Sequence, residues 1–475
     1  MRFASRRGIA SALLLFTFAS PSGAQAQVCQ GDCGVDASVT VDELVTIVSI
    51  ALGTVDASSC LVGDSTCDGT VTVDEIVGSV NSALNGCTDA FVPRGELVVE
   101  SSFAEGLLRQ IPGGPAVGGT PRMPAQYRVD DPQEIDVRVF ATNLEVPWAM
   151  AFAPDGRLFV TERAGRIRVI ADGNLEPQPW ATISVNRFTQ EGGLMGIAIA
   201  PAFADDPWVY VCYTTFVGPN IANRVSRVRQ AEGGGIDEQI LVDNIVGGSV
   251  HDGCRLKFGP DGMLYASTGD GQNPSNSQNL SSLVGKVLRI RPDGGIPEDN
   301  PIAPDSYVYS YGHRNPQGLA FRGDGLLFAT EHGPSGEIGG LRAHDEVNVI
   351  EAGKNYGWPA AVGAPLLPQY ADPLLLFPDT AVPPAGATFY QAGEIASWTG
   401  NFFFTSLGAT HLQRVVLDQC DRPLAIERLL VGTYGRLRDV IEGPDGNLYV
   451  ATSNRDGRGR PATDDDRILR IVAVP

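Results

Sequence analysis

From Val137 onward, apolar and polar positions alternate in short runs that are cut by tight-turn residues. This is the pattern of half-buried strands bounded by turns. One unit recurs: an apolar residue, Pro-Asp-Gly, then an alternating strand. It stands as Phe152-Ala153-Pro154-Asp155-Gly156-Arg157-Leu158-Phe159-Val160, and again at Phe258–Ala266 and Gly443–Val450. A fourth copy, Phe321-Arg322-Gly323-Asp324-Gly325-Leu326-Leu327-Phe328-Ala329, lacks the proline, and looser copies begin at Ile199-Ala200-Pro201 and around Trp398-Thr399-Gly400. Proline presets φ for the turn and glycine accepts the positive φ that follows. Six such units over this length predict six four-stranded blades, an all-β propeller over 136–475, in preference to a β-sandwich.

The pattern ahead of the blades is different. Residues 28–88 hold a duplication at a 32-residue offset, in which Gly31-Asp32-Cys33 and Val39-Thr40-Val41-Asp42-Glu43 return as Gly63-Asp64-Ser65 and Val71-Thr72-Val73-Asp74-Glu75. Each half runs into an apolar helical stripe. The second half fits a 12-residue calcium loop, with Asp64, Thr66 and Asp68 at positions one, three and five, Gly69 at the turn, Thr72 at nine and Glu75 closing. The first half has Gly34 at position three and Ala37 at six, so weaker binding or none is expected there. The pair resembles a dockerin-like EF-hand module at 27–88, which implies a cohesin-like or surface partner; dockerins usually close the loop with Asp, where this chain has Glu75. Residues 89–135 read as a linker, broken at Pro112-Gly113-Gly114-Pro115, with one short helix expected over Ser101–Gln110.

Composition then narrows the setting. Thirty-five basic residues against 55 acidic give a net charge of −20, which argues against nucleic acid or an anionic membrane as partner. Arg2, Arg6 and Arg7 followed by the apolar run Ile9–Ser20 and Ala24-Gln25-Ala26 read as a signal peptide over 1–26, and no later run is long enough to span a membrane. The expected location is periplasmic or extracellular, where disulfides form. Of eight cysteines, five fall in the front module, so one of these is free or pairs elsewhere, while Cys254 reads as a small buried filler.

Candidate chemistry gathers just beyond the repeat strands, where propeller loops meet at one face. The clusters are Ser249-Val250-His251-Asp252-Gly253-Cys254-Arg255, Thr268-Gly269-Asp270-Gly271, Gly312-His313-Arg314-Asn315-Pro316-Gln317, Glu331-His332-Gly333-Pro334, Asp345-Glu346-Val347-Asn348 and Arg436-Leu437-Arg438-Asp439. Three of the chain's five histidines lie in them. Arg436 and Arg438, two apart on a strand, point the same way and suit carboxylates. The carbonyls of Gly333 and Pro334 suit calcium.

Taken in order, these motifs resemble the soluble PQQ-dependent glucose, aldose and sorbosone dehydrogenases over residues 137–473. The resemblance implies a quinoprotein that oxidises an aldose by hydride transfer to pyrroloquinoline quinone (PQQ) and passes electrons to an external acceptor. It implies His251 as general base, Asp270 as its orienting carboxylate and Arg314 facing the quinone carbonyl. Glu191, Asn315, Arg436 and Arg438 would hold the cofactor, and Gly333 and Pro334, with Asp345 and Glu346 nearby, would serve calcium. Two positions depart from the family: Gly408 stands where some members have Lys, and Glu191 stands where glucose-type enzymes have Gln. A calcium-dependent, lactonase-like propeller hydrolase and a non-catalytic carbohydrate-binding propeller are the competing readings.

Overall fold

The computed structural model describes residues 29–87, 96–99, 109–110, 116–117, 125–129, 135–186 and 189–474. The expected signal peptide lies outside them. Six antiparallel sheets follow one another, and their inner strands are Pro147–Phe152, Leu194–Ile199, Gly253–Phe258, Pro316–Phe321, Pro384–Phe389 and Leu437–Glu442. Each inner strand touches the next, and the sixth touches the first. The fold is a closed six-bladed β-propeller. Its last blade is completed by Ile135–Ala141, which precedes blade one in the chain and pairs antiparallel with Ile468–Ala473.

The repeat unit is the turn from inner to second strand. In all four clear copies the Asp Oδ1 accepts the N–H two residues on, from Arg157, Met263, Leu326 and Asn447 at 3.1–3.2 Å. The following glycines take positive φ, as at Gly156 (+88°) and Gly446 (+71°), so a side chain there would strain the turn. These turns all lie at one end of the barrel of blades. The chemistry-bearing loops therefore emerge at the other.

At that other end every inner strand carries a β-bulge against its neighbour, at Pro147/Ala149, Leu194/Ile197, Gly253/Leu256, Pro316/Gly318, Pro384/Ala387 and Leu437/Asp439. A bulge re-aims side chains and leaves backbone groups to be paired by other means. Hydroxyls on second strands bridge to the next blade: Thr161 donates to Met195 O (2.6 Å), Ser267 to Pro316 O (2.9 Å) and Thr330 to Ala385 O (2.6 Å).

The axis is closed by a buried ion pair. Arg255 of blade three meets Asp439 of blade six at 2.9 Å. Arg255 Nε also donates to Gln317 O of blade four (2.8 Å), and its guanidinium lies 4.4 Å from the Trp148 ring of blade one. Asp439 Oδ2 accepts the Met150 N–H at 2.8 Å.

The front module forms two helices, α1 (Val41–Ala51) and α2 (Val73–Asn85), each opened by a Thr-x-x-Glu capping box at Thr40/Glu43 and Thr72/Glu75. Disulfides Cys29–Cys87 and Cys33–Cys60 close it. The fifth cysteine finds a partner in the propeller, as Cys67–Cys420. Around that bond Arg422 reaches Asp64 Oδ2 (3.1 Å) and Asp64 O (2.8 Å), and Ile47, Val62 and Val71 pack on Val416, Leu424 and Ala425 of blade five. The stretch expected as a linker also contributes structure. Ala125–Val129 adds in parallel to the outer edge of blade five, Glu96–Val99 pairs with it, and Ala116–Val117 pairs with Ala361–Val362. Arg109–Gln110, expected within a helix, is a short strand; the rest of that expected helix lies outside the described residues. Cys254 is no lone filler, for it is bonded to Cys212 of blade two.

Removing one member of a buried ion pair leaves the other charge unpaired, which costs about 3–5 kcal/mol. Arg255→Met should destabilise the chain by that order, and Arg255→Met/Asp439→Asn should recover part of the loss. Denaturant unfolding of both, with Asp439→Asn alone to complete the cycle, checks this; a double-variant loss equal to the sum of the two single losses would show the groups to be uncoupled.

Candidate functional site

The sequence-predicted residues His251, Asp270 and Arg314 form one line. His251 Nδ1 lies 2.9 Å from Asp270 Oδ1, and His251 Nε2 lies 2.9 Å from Arg314 Nη2. Asp270 is buried, and it already accepts from Gln272 N (2.9 Å) and Trp358 Nε1 (2.9 Å). An ionised carboxylate only accepts, so Nδ1 carries the proton. Nε2 then keeps its lone pair, which receives the Arg314 guanidinium.

Local structure explains why His251 reaches this place. Its φ is +64°, uncommon for a residue with a side chain, and Gly253 and Cys254 follow at +64° and +70°. The run is held by the Cys212–Cys254 disulfide, by Gly253 N donating to Asn315 Oδ1 (3.1 Å) and by His251 N donating to Glu191 Oε2 (3.3 Å). Gly269 must be glycine, since a Cβ there would sit 2.0 Å from His251 O.

Arg314 is fixed from several sides. Its Nε donates to Glu337 (2.6 Å), its Nη1 to His332 O (3.2 Å) and its Nη2 to Ser335 Oγ (3.3 Å), and its N–H donates to the Glu331 carboxylate. Glu331 in turn holds the buried His313, which stacks on Tyr356. Arg436 and Arg438 do share a carboxylate, but one of this chain: Arg436 meets Asp456 at 2.8 Å and Arg438 approaches it at 3.9 Å. Burial pushes Arg438 down to about 10, so it remains a cation at neutral pH.

A cavity beside this line is bounded by Trp148, Glu191, Met195, Asp252, Gln317, His332, Leu407, Arg438 and Arg458. Four buried polar atoms at or beside it have no protein partner: Arg438 Nε, His332 Nε2, Asp252 Oδ2 and Asn315 Nδ2. Buried polar groups are normally paired, so this donor-rich set fits a polar, anionic ligand. Burial is the largest influence on the Glu191 carboxyl and would raise it, yet the Arg458 guanidinium, His332 and the His251 N–H together hold it below the usual range. Burial pushes His332 down to about 3, so its imidazole is neutral.

The expected metal residues are less gathered. Asp345 accepts from Gly333 N (2.9 Å) and Val382 N (2.6 Å), which places it beside Gly333 with both oxygens in use. Glu346 accepts from Asn348 Nδ2 (3.2 Å) and Gly363 N (3.2 Å), and burial with Glu331 nearby pushes its carboxyl well up. Asp64, Thr66, Asp68 and Glu75 share one loop: Asp64 accepts from Asp68 N and Gly69 N, and Glu75 from Thr66 N and Thr72 N. Among the described residues no three His, Cys, Asp or Glu side chains converge as metal ligands.

A family model described as Glucose / Sorbosone dehydrogenase matches residues 144–469. The chain belongs to that family. Aldose sugar dehydrogenase YliI of Escherichia coli is 29% identical over 359 residues, covering 69% of this chain and 92% of that protein. Quinoprotein glucose dehydrogenase B of Acinetobacter calcoaceticus is 27% identical over 459 residues, covering 76% and 93%. The PQQ-bound form of the aldose sugar dehydrogenase of Streptomyces coelicolor superposes with a TM-score of 0.64 at 35% identity, covering 72% of this chain and 99% of that one.

Within this glucose/sorbosone dehydrogenase fold, His332, Asp252 and Trp358 fall in site clusters visible in the sequence but carried no role there, and Glu337, Asp456 and Arg458 were passed over as site residues. Asn454-Arg455-Asp456-Gly457-Arg458-Gly459 follows a repeat strand as the other site loops do, which is a signal that could have found it.

Burial pushes Asp252 up to about 6. Between about pH 4 and 6 the folded chain therefore holds a proton that the unfolded chain has released, so stability falls as pH rises through that window. Asp252→Asn should remove the fall, adding about 2–3 kcal/mol at pH 7.5 and little at pH 4. Melting curves at the two pH values check it; an equal change at both would contradict the burial argument.

Proposed function

We propose that this chain is an exported quinoprotein that oxidises aldose sugars with PQQ and calcium. The observation that carries this reading is the Asp270–His251–Arg314 line beside a cavity with unpaired buried polar groups. Asn315, Arg436 and Arg438 would hold the cofactor, Glu191 would line the site beside it without binding it, and the Gly333 and Pro334 carbonyls, with Asp345 behind them, would serve the calcium. When bound, the quinone supplies the two-electron, hydride-accepting chemistry that no side chain offers.

The chain's own part is proton handling and charge placement. His251 Nε2 takes the proton of the hydroxyl on the carbon that loses hydride. Asp270 fixes the tautomer and stabilises the imidazolium that results. Arg314, which caps Nε2 in the free protein, shifts toward developing negative charge as substrate displaces it. Trp358 holds Asp270 from behind. Export is supported by four disulfides that use all eight cysteines, and among the described residues no helix is long and apolar enough to cross a membrane.

The chain made without PQQ should gain dye-reducing activity toward aldoses when PQQ and calcium are added. His251→Gln should lower turnover about 10²–10⁴-fold while PQQ titration changes little. Loss of PQQ binding with turnover per bound cofactor intact would make His251 a cofactor ligand instead.

For the front module we infer a dockerin-like role in docking. Val41, Val45 and Val48 on α1 with its C-cap Leu52, and Val73, Val77, Val80 and Leu84 on α2, are exposed at matching positions. Residues 29–87 carry acidic side chains and no Lys, Arg or His. An exposed apolar patch of this kind marks an interaction surface, and its charge suits a partner with an apolar face ringed by Lys and Arg. Calcium at the Asp64 loop would compete with Arg422. Photo-crosslinking from position 84, with the adduct identified by mass spectrometry, should trap such a partner and fail in Val45→Asp/Val77→Asp. Self-adducts would make the occupant a second copy.

A further inference from the structure

The cavity beside His251 contains two carboxylates, Glu191 and Asp252. That cavity holds only about 20 Å³, so an anionic cofactor would lie over it rather than in it, and it can do so only if the carboxylate charge is compensated, because like charges at close range repel strongly where water is scarce. Glu191 points one oxygen at the His251 N–H, and the other meets Arg458 Nη1 at 2.7 Å. Arg458 comes from blade six, so the pair spans the mouth of the cavity. Arg438 also lines the cavity, but its ion-pair partner is Asp456, not Glu191. Leu407 lines the cavity and Gly408 follows it without a side chain; a Cβ at 408 would lie 2.8 Å from Pro383 Cγ.

The turn that delivers Arg458 is built for the purpose. Gly457 has φ +90°, and a Cβ on Gly459 would lie 2.6 Å from the Asn454 backbone. Asp456 of the same turn anchors Arg436 and faces Arg438. Among the described residues Arg458 has no other ion-pair partner, and its side chain is half exposed. The groups facing Glu191 are Arg458, His332, His251, Asp252, Arg163 and Arg438. Of these, only Arg458 makes a direct ion pair with it.

We propose that Arg458 is a positioning residue that acts through Glu191, cancelling its charge so that an anionic cofactor can be held beside a carboxylate next to the catalytic histidine. This rests on the PQQ reading above. Glu191 would then remain an ionised acceptor for a sugar hydroxyl without repelling the cofactor.

A four-way comparison tests it: wild type, Arg458→Gln, Glu191→Gln and the double variant, each titrated with PQQ in calcium and followed by tryptophan fluorescence. Arg458→Gln should weaken PQQ binding about tenfold to a hundredfold. Glu191→Gln alone should not weaken it, and the double variant should return to the Glu191→Gln value. Arg458→Lys should retain most of the affinity, and melting points should match across the set. If the double variant stays as weak as Arg458→Gln, Arg458 touches the cofactor directly and the proposal fails. Unchanged affinity in Arg458→Gln also overturns it. No PQQ binding by the wild type would overturn the cofactor reading itself, and the proposal with it.

Discussion

The propeller depends on what happens at its axis. Six blades packed around a centre leave a channel, and polar groups from the bulged inner strands face into it. The Arg255–Asp439 pair occupies that channel and joins residues of blades one, three, four and six. An ion pair taken out of water gains little net stability, but its geometry must be satisfied on every side. Here Asp439, Gln317 O and the Trp148 ring meet the guanidinium and Met150 N meets the carboxylate, while Arg255 Nη2 has no hydrogen-bond partner among the described residues, so the pair depends on the blades holding one relative register. The pair also forms the floor of the site: His251 lies four residues before Arg255, and Arg438 immediately precedes Asp439.

On that floor the site is assembled from backbone conformations that a chain would not adopt unaided. His251 and Cys254 have left-handed backbones, and each is tied down by a bond from another blade. The ordering is done during folding, so the imidazole has its tautomer and direction before substrate arrives, the condition under which electrostatic groups act most effectively. Arg314 shows the same economy. Its guanidinium, its N–H and the carbonyl that accepts from Asp270 N are all in use, so one residue links three loops.

The blade count was legible because each blade repeats one turn with one physical solution, an Asp side chain accepting from two residues ahead while glycine takes positive φ. The Asp270–His251–Arg314 line was legible because its members stand where such turns are not, at the far ends of repeat strands. What stayed hidden were the partners fixed by three-dimensional closure. Cys254 looked like filler because Cys212 lies on another blade. Asp456 and Arg458 sat in a charged, glycine-rich loop that reads as solvated surface until blade six closes over the site. The stretch 89–135 has the composition of a linker, and its strands form because blade five and Ala361–Val362 offer edges to pair with. Arg436 and Arg438 were expected to hold carboxylates of a cofactor; the carboxylate they face in the structure is Asp456 of this chain.

The bond from Cys67 to Cys420 crosses 353 residues. Its second half does not exist until blade five has been synthesised and folded, whereas Cys29, Cys33, Cys60 and Cys87 are available from the outset. A newly made chain therefore carries Cys67 as a bare thiol among four close neighbours while most of the protein is still to come. The two local bridges can close without the propeller, whereas the Cys67 bond needs blade five in place. The same covalent link makes the finished front module a lasting attachment to the enzyme's flank, so whatever its helices bind is delivered at a set distance from the catalytic face.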